Sequence, residues 1–260
     1  MQIIREPRVT VIARQQFTVP PHIRWRSDSE VAGEALAEFA GRLCYLSFGV
    51  DAGMEGGHKT IPGRTTNHEY LSNILKTKHG SVLEHAVWSF LFEGVSRSLT
   101  HELIRHRAGM GYSQLSQRYV DESEIGFVVP PEIEEGTPEY ETWREACESS
   151  LDSYRQLLAG VTEKVGEDGP ATMRKKRARQ AARSVLPNSA ETKIVATGNA
   201  RSLRHFCEMR GAANADLEIR RLAGAVLRAL HLEAPNIFGD LRFVPSDDGI
   251  DTIETDYPKV

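Results

Sequence analysis

The run Val87-Trp88-Ser89-Phe90-Leu91-Phe92 limits the possible folds more than any other stretch of the chain. Bulky aromatic and aliphatic side chains in such a run read as a buried β-strand. The sequence then turns cationic, in Arg97-Ser98-Leu99-Thr100-His101-Glu102-Leu103-Ile104-Arg105-His106-Arg107. Its periodicity predicts a helix over 97–107, ended by Ala108-Gly109-Met110-Gly111, with Arg97, His101 and Arg105 drifting along one stripe. The stripe includes Ile104 and follows an aromatic strand, so it is expected to face inward. Buried guanidiniums cost on the order of several kcal/mol unless paired. A solvated basic face is the plain reading; an anionic ligand is the other, because arginine forks match phosphate geometry.

The remaining pattern predicts a strand over 8–13, helices over 30–46 and 67–76, and a long amphipathic helix over 139–164. It continues with a basic helix over 171–184, a strand over 193–197, and helices over 201–211 and 216–232. The tail beyond Pro245 reads as acidic and irregular. Gly49, Gly53, Gly56, Gly57 and Gly63 mark a loop that reads as a connector. There is no internal repeat and no regular βαβ alternation, and helices outnumber strands. We therefore expect an α+β fold: one domain over 1–260, with its core at about 30–235 and the tail at 245–260. With 40% hydrophobic and 26% charged residues, the chain is not a disordered one. No run approaches the roughly 18 apolar residues of a membrane span. The first residues lack the apolar stretch of a signal peptide. Cys44, Cys147 and Cys207 are an odd number at distant spacings, giving neither a disulfide framework nor a CxxC metal pair. A cytoplasmic location follows as the expectation. A net charge of −4 means that any anion site must be local.

Three motif-like spacings fail on their chemistry. His101 and His106 resemble the zinc HExxH, but five residues turn them about 140° apart on a helix, so no metal is expected. Gly109-Met110-Gly111 follows a helix and lacks the third glycine of a dinucleotide fingerprint. No serine sits in a G-x-S-x-G elbow.

Two further segments carry charge. In Arg174-Lys175-Lys176-Arg177-Ala178-Arg179-Gln180-Ala181-Ala182-Arg183, Lys176, Arg179 and Arg183 share a face. Alone, this cluster suits nucleic acid, a small phosphate ligand or plain solvation; the Ala181-Ala182 pair leaves room for close packing. In the segment 198–210, Asn199 can cap the following helix. Arg201, Arg204, His205 and Glu208 fall on one face. Arg210 interrupts the apolar stripe of Leu203, Phe206 and Cys207, either in a salt bridge or in a partly desolvated pocket.

Taken together, these segments resemble the flavin-dependent thymidylate synthases. The carrying residues are Gly80-Ser81-Val82-Leu83-Glu84-His85, Ser96-Arg97-Ser98, Arg105-His106-Arg107, Gln114-Leu115-Ser116-Gln117-Arg118-Tyr119, Gln180-Ala181-Ala182-Arg183 with Leu186-Pro187-Asn188, and Thr197 through Arg210. The resemblance implies a mixed or antiparallel sheet flanked by helices. It implies an FAD enzyme that methylates uracil C5 of dUMP or UMP, with carbon from methylenetetrahydrofolate and reducing equivalents from NADPH. It implies a homotetramer with shared active sites and neither a nucleic-acid nor a membrane partner. By the same resemblance Ser81, Arg105, His106, Arg107, Asn199, Arg201 and His205 line the flavin site. Arg97, Glu102, Arg105, Gln114, Ser116, Gln117, Arg118 and Arg183 contact the nucleotide, and Arg210 favours ionisation at uracil N3. A nucleic-acid-binding module using 174–183 is the competing expectation.

The residue chemistry agrees. A serine without a partner base is a weak nucleophile, and the cysteines lie outside the motif segments except Cys207. A fixed guanidinium can instead stabilise negative charge at N3–O4. Eight residues, Ala108 to Leu115, separate Arg107 from Ser116, where the family usually has seven. The two glycines of the longer loop read as pliable. A neutral variant and a pocket wide enough for a ribose 2′-OH both remain open.

Overall fold

A computed structural model describes residues 1–49, 52, 64–165 and 169–260. The elements run β1 (Gln2–Ile4), β2 (Arg8–Arg14), α1 (Ala32–Tyr45), α2 (Asn67–Lys76), β3 (Val87–Ser96), α3 (Arg97–Leu103), β4 (Met110–Gln114), β5 (Gly126–Val128) and α4 (Pro138–Val165). They continue with α5 (Ala171–Ala182), β6 (Glu191–Asn199), α6 (Ala200–Arg210), α7 (Leu217–Glu233), α8 (Pro235–Phe238), β7 (Arg242–Val244) and β8 (Thr252–Glu254). A four-stranded sheet has the order β2-β3-β6-β4. Two small sheets accompany it, β1 with β5 in parallel and β7 with β8 antiparallel. The fold is α+β, as the sequence predicts.

The chain divides into two compact units. The first comprises 1–8, 92–105 and 113–195; the second comprises 9–91, 106–112 and 196–260. In the first unit, Ile125, Phe127, Cys147, Leu151 and Ala190 form a core flanked by Trp143 and Leu186. Helix α4 starts sharply, because the Thr137 hydroxyl accepts the Tyr140 N–H and Pro138 occupies the first turn. Ala178 and Ala182 are fully buried on one side of α5. They, rather than the adjacent pair Ala181-Ala182, give the helix its packing face.

In the second unit, Leu71, Leu83, Leu203, Phe206, Leu222, Val226, Leu227 and Ile237 are buried. Trp88 meets Phe238 edge-on at 5.8 Å. Thr66 and Glu69 close a reciprocal capping box at α2. Asn199 caps α6 by accepting the Ser202 N–H at 2.9 Å, the predicted role. Among the described arginines of this unit, Arg204 and Arg220 are the least exposed. Arg204 makes a forked pair with Asp240 at 2.6 and 2.8 Å, and Arg220 pairs with Asp248 at 2.6 Å.

Several expectations differ from the structure. The helix at 97 ends at Leu103, so Arg105, His106 and Arg107 lie beyond it, and the predicted stripe does not face inward: His101, Ile104 and Arg105 are exposed. The chain then enters β4, a strand that the aromatic and glycine pattern conceals. Residues 245–260 are not wholly irregular: β8 pairs with β7, and Ile253 and Val260 are 4% and 3% exposed. Of the glycine-rich loop 49–63, most lies outside the described residues. Among the described residues, no helix is long and apolar enough to cross a membrane.

Candidate active site

All eight residues expected at the nucleotide belong to the first unit. Ser96 caps α3, accepting the Leu99 N–H at 3.0 Å, and so fixes Arg97 at the first helical position. The Arg97 side chain is half-buried, and one Nη donates to the Leu115 carbonyl at 2.9 Å. Its Nε–H is buried and has no acceptor among the described residues, and the same holds for Nε of Arg118. Burial pushes the Arg97 guanidinium below its ordinary pKa; Glu122 counteracts this, and the neighbouring Arg183 adds to it. Arg97 and Arg183 are thus drawn from distant segments into one electrostatic neighbourhood. Arg183 itself is exposed, in the short 3-10 turn Arg183–Val185 that follows α5.

The other members of this set are more occupied. Gln114 donates to Thr100 Oγ1 at 3.0 Å, and Gln117 is buried. Ser116 Oγ accepts the Arg118 N–H at 3.4 Å, which suits a turn residue better than a nucleophile. Glu102 is half-buried on α3, its carbonyl accepting the N–H of the exposed Arg105 at 3.1 Å. Three cations of the basic segment are engaged locally. Lys176 lies 4.8 Å over the Tyr119 ring, Arg179 donates to the Tyr119 carbonyl at 2.6 Å, and Arg174 donates to the Gly169 carbonyl at 3.1 Å.

The remaining residues expected at the flavin, with Arg210, belong to the second unit. Ser81 is exposed on the 3-10 helix Gly80–His85. Arg201, at the start of α6, is exposed and pairs with Glu84 at 2.6 Å. His106 packs its ring 5.8 Å from that of His205 and edge-on to Phe206 at 5.5 Å. Arg210 donates from Nε to His106 Nε2 at 2.8 Å. Burial, then Arg210, then His205 hold His106 down to about 4, so the ring is neutral at physiological pH. Because Nε2 accepts from Arg210, the ring proton resides on Nδ1. The Tyr112 hydroxyl donates to the His106 carbonyl at 2.9 Å and fixes the backbone behind it.

The loop at Ala108–Gly111 is bound to the start of α6. Ser202 Oγ donates to the Ala108 carbonyl at 2.7 Å, and the Asn199 N–H donates to the Gly109 carbonyl at 3.1 Å. Gly109 has φ +67°, and a Cβ there would overlap Ser202 Oγ and Asn199 Nδ2. The glycine permits close approach and a left-handed turn, whereas the sequence had suggested slack.

Arg204 is a correction to the helical-wheel reading: it is 3% exposed and belongs to a buried ion pair. Arg210 pairs with an imidazole, a partner that the wheel did not suggest. Glu122 and Tyr112 escaped sequence reasoning, as did the pairing of Glu84 with Arg201. Glu122 sits in the acidic stretch Asp121-Glu122-Ser123-Glu124, which looks like any solvated turn. Among the described residues, no group of three or more acidic, histidine or cysteine side chains is placed to hold a metal.

An α+β chain with a guanidinium cluster in one unit and a neutral histidine–arginine pair in the other matches the profile of the Thymidylate synthase complementing protein family over residues 28–236. The chain belongs to the flavin-dependent thymidylate synthase family. It is 51% identical over 253 residues to the flavin-dependent thymidylate synthase of Mycobacterium sp. (strain JLS), covering 95% of each chain. It is 47% identical over 242 residues to that of Mycobacterium tuberculosis (strain ATCC 25177 / H37Ra), covering 93% of this chain and 92% of the relative. The crystal structure of the UMP/dUMP methylase PolB from Streptomyces cacaoi, bound with 5-Br dUMP, has the same fold. The TM-score is 0.64 at 21% identity, over 92% of this chain and 96% of the other.

Proposed function

We propose that this protein methylates C5 of the uracil in deoxyuridylate, with a methylene group from methylenetetrahydrofolate and reducing equivalents from NADPH. The observation that carries the reading is the pair of buried, acceptorless Nε–H groups on Arg97 and Arg118, two arginines that, unlike Arg204 and Arg220 with the same orphaned Nε, form no ion pair among the described residues. A buried donor without an acceptor costs about 1–3 kcal/mol, and a phosphate oxygen removes that cost. Arg97, Arg118 and Arg183 therefore bind the 5′-phosphate, with Glu102, Arg105, Gln114, Ser116 and Gln117 orienting the nucleoside.

The donors of the second unit fit FAD. Ser81, Arg107, Arg201 and His205 are exposed and suit a dinucleotide diphosphate. Arg105, His106 and Asn199 complete the proposed flavin set. When bound, the flavin supplies the hydride that reduces the transferred carbon to a methyl group. Arg210, held through Nε by His106, stabilises negative charge at uracil N3–O4 and so raises electron density at C5. A cysteine route lacks support. Burial raises the Cys207 thiol to about 12 and also raises Cys147, while the Cys44 thiol donates to the Ala40 carbonyl. We take the assembly to be a homotetramer, as the family resemblance implies.

The test is turnover of dUMP and UMP by the yellow, flavin-loaded protein with methylenetetrahydrofolate and NADPH. Formation of dTMP is expected. Oxidation of NADPH without methylated product, or colourless protein that flavin does not reconstitute, would defeat the reading.

A further inference from the structure

Glu122 is 4% exposed, and its Oε1 has no hydrogen-bond partner among the described residues. Its backbone is fixed on two sides. The Glu122 N–H donates to the Tyr154 hydroxyl on α4 at 3.1 Å, and Arg155 donates to the next carbonyl, that of Ser123, at 3.0 and 2.7 Å. The backbone that carries the carboxyl is therefore tied to α4.

Its electrostatic neighbours are Arg97 from α3, Glu191 from β6 and Asp121 from its own turn. Arg97 in turn senses Arg183. An acid buried beside the arginine proposed to take the phosphate poses a conflict. As a carboxylate it balances Arg97 when no nucleotide is present. Once a phosphate dianion arrives, that carboxylate becomes a like charge in a poorly hydrated place.

We propose that Glu122 is a proton-accepting positioning residue: its carboxylate balances Arg97 in the nucleotide-free protein, and solvent protonates it when a nucleotide 5′-phosphate takes Arg97 over. The neutral acid then keeps Arg97 in place without repelling the phosphate. Burial, together with Glu191 and Asp121, against the opposing pull of Arg97, already brings Glu122 up to about 7. The added phosphate charge moves it further up. Nucleotide binding is accordingly tighter on the acid side of this range and weakens as pH rises through it. The inference rests on the phosphate reading of Arg97.

Calorimetric titration of flavin-loaded enzyme with dUMP at about pH 8, in two buffers of different ionisation enthalpy, counts the protons taken up. The phosphate, with a second pKa of about 6, is already a dianion there and releases none. Wild type is expected to take up about half a proton or more per nucleotide. Glu122→Gln should lose this uptake, bind dUMP at about pH 8.5 at least as tightly as wild type, and show a Kd that no longer rises between about pH 7 and 9. Absence of proton uptake in wild type, which requires no variant to fold, overturns the inference; so does uptake that persists in Glu122→Gln. Arg97→Ala separates the two claims. If it binds dUMP as tightly as wild type, the phosphate reading has failed. If it weakens dUMP while Glu122→Gln retains the uptake, only the role of Glu122 has failed.

Discussion

Arg210 and His106 illustrate how one hydrogen bond determines two chemistries. Burial, with the guanidinium adding to it, keeps the imidazole neutral, and the imidazole, by accepting at Nε2, orients the guanidinium fork. Arg210→Ala removes a nearby positive charge. The His106 pKa should then rise from about 4 but stay below its ordinary value, because burial, the largest cause, remains. Histidine resonances followed through a pH titration check this; an unchanged midpoint would dissociate the pair. A folded-state pKa below the unfolded one means that the unfolded chain binds more protons between about 6.5 and 4. The neutral ring's contribution to stability is thus fully present above about pH 6.5 and lost as pH falls towards 4. His106→Asn should flatten that part of the stability–pH curve. Arg210→Lys keeps the charge but not the planar fork. Its methylation rate should fall by about 10²–10³-fold, with dUMP affinity within a few-fold of wild type. A rate loss matched by an equal loss of affinity would assign Arg210 to binding.

At the scale of elements, the turn between α3 and β4 depends on Gly109. A side chain there meets both an unfavourable φ and two atoms at the start of α6. Gly109→Ala should destabilise the protein by about 1–3 kcal/mol and lower flavin content, because Asn199 and Ser202 must shift. Denaturant unfolding and the flavin-to-protein absorbance ratio measure the two effects; wild-type values in both would show that the contact is dispensable. This turn also marks where the sequence stops being legible. Helices with caps or long amphipathic faces, such as α2 and α4, are readable because their signals are local. The 97–107 pattern kept its helical period beyond Leu103, whereas tertiary contacts to α6 draw the chain into β4. Helical wheels likewise put Arg204 with the solvent-facing polar residues, although Asp240, distant in sequence, buries it in a forked ion pair. Glu122 was illegible for the same reason: its turn is held by Tyr154 and Arg155 on a helix about thirty residues away. The proposed site residues were legible as motif segments, while their electrostatic partners were not.

For the whole molecule, the division into two units sorts most of the proposed site residues into two sets. Apart from Arg210, proposed at the uracil, the residues proposed for the nucleotide lie in the first unit, and those proposed for the flavin, apart from Arg105, lie in the second. Determinants that share no partner should act independently in binding, because distant substitutions combine additively to within about 0.5 kcal/mol. Arg183→Ala removes one charge-assisted contact of roughly 1.5–3 kcal/mol, so dUMP affinity should fall about 10- to 100-fold while flavin content stays at wild-type level. Arg107→Ala should do the reverse, giving pale protein whose affinity for dUMP is retained. Both variants should elute with wild type, near four times the 29.0 kDa chain, if neither substitution disturbs the proposed tetramer. The double variant is the decisive measurement. If it shows the two losses side by side, each as large as in its parent, nucleotide and flavin are bound by separable sets of residues. If flavin loss alone weakens dUMP as strongly as Arg183→Ala does, the bound flavin forms part of the nucleotide's binding surface, and the separation by unit describes the chain but not the binding energetics.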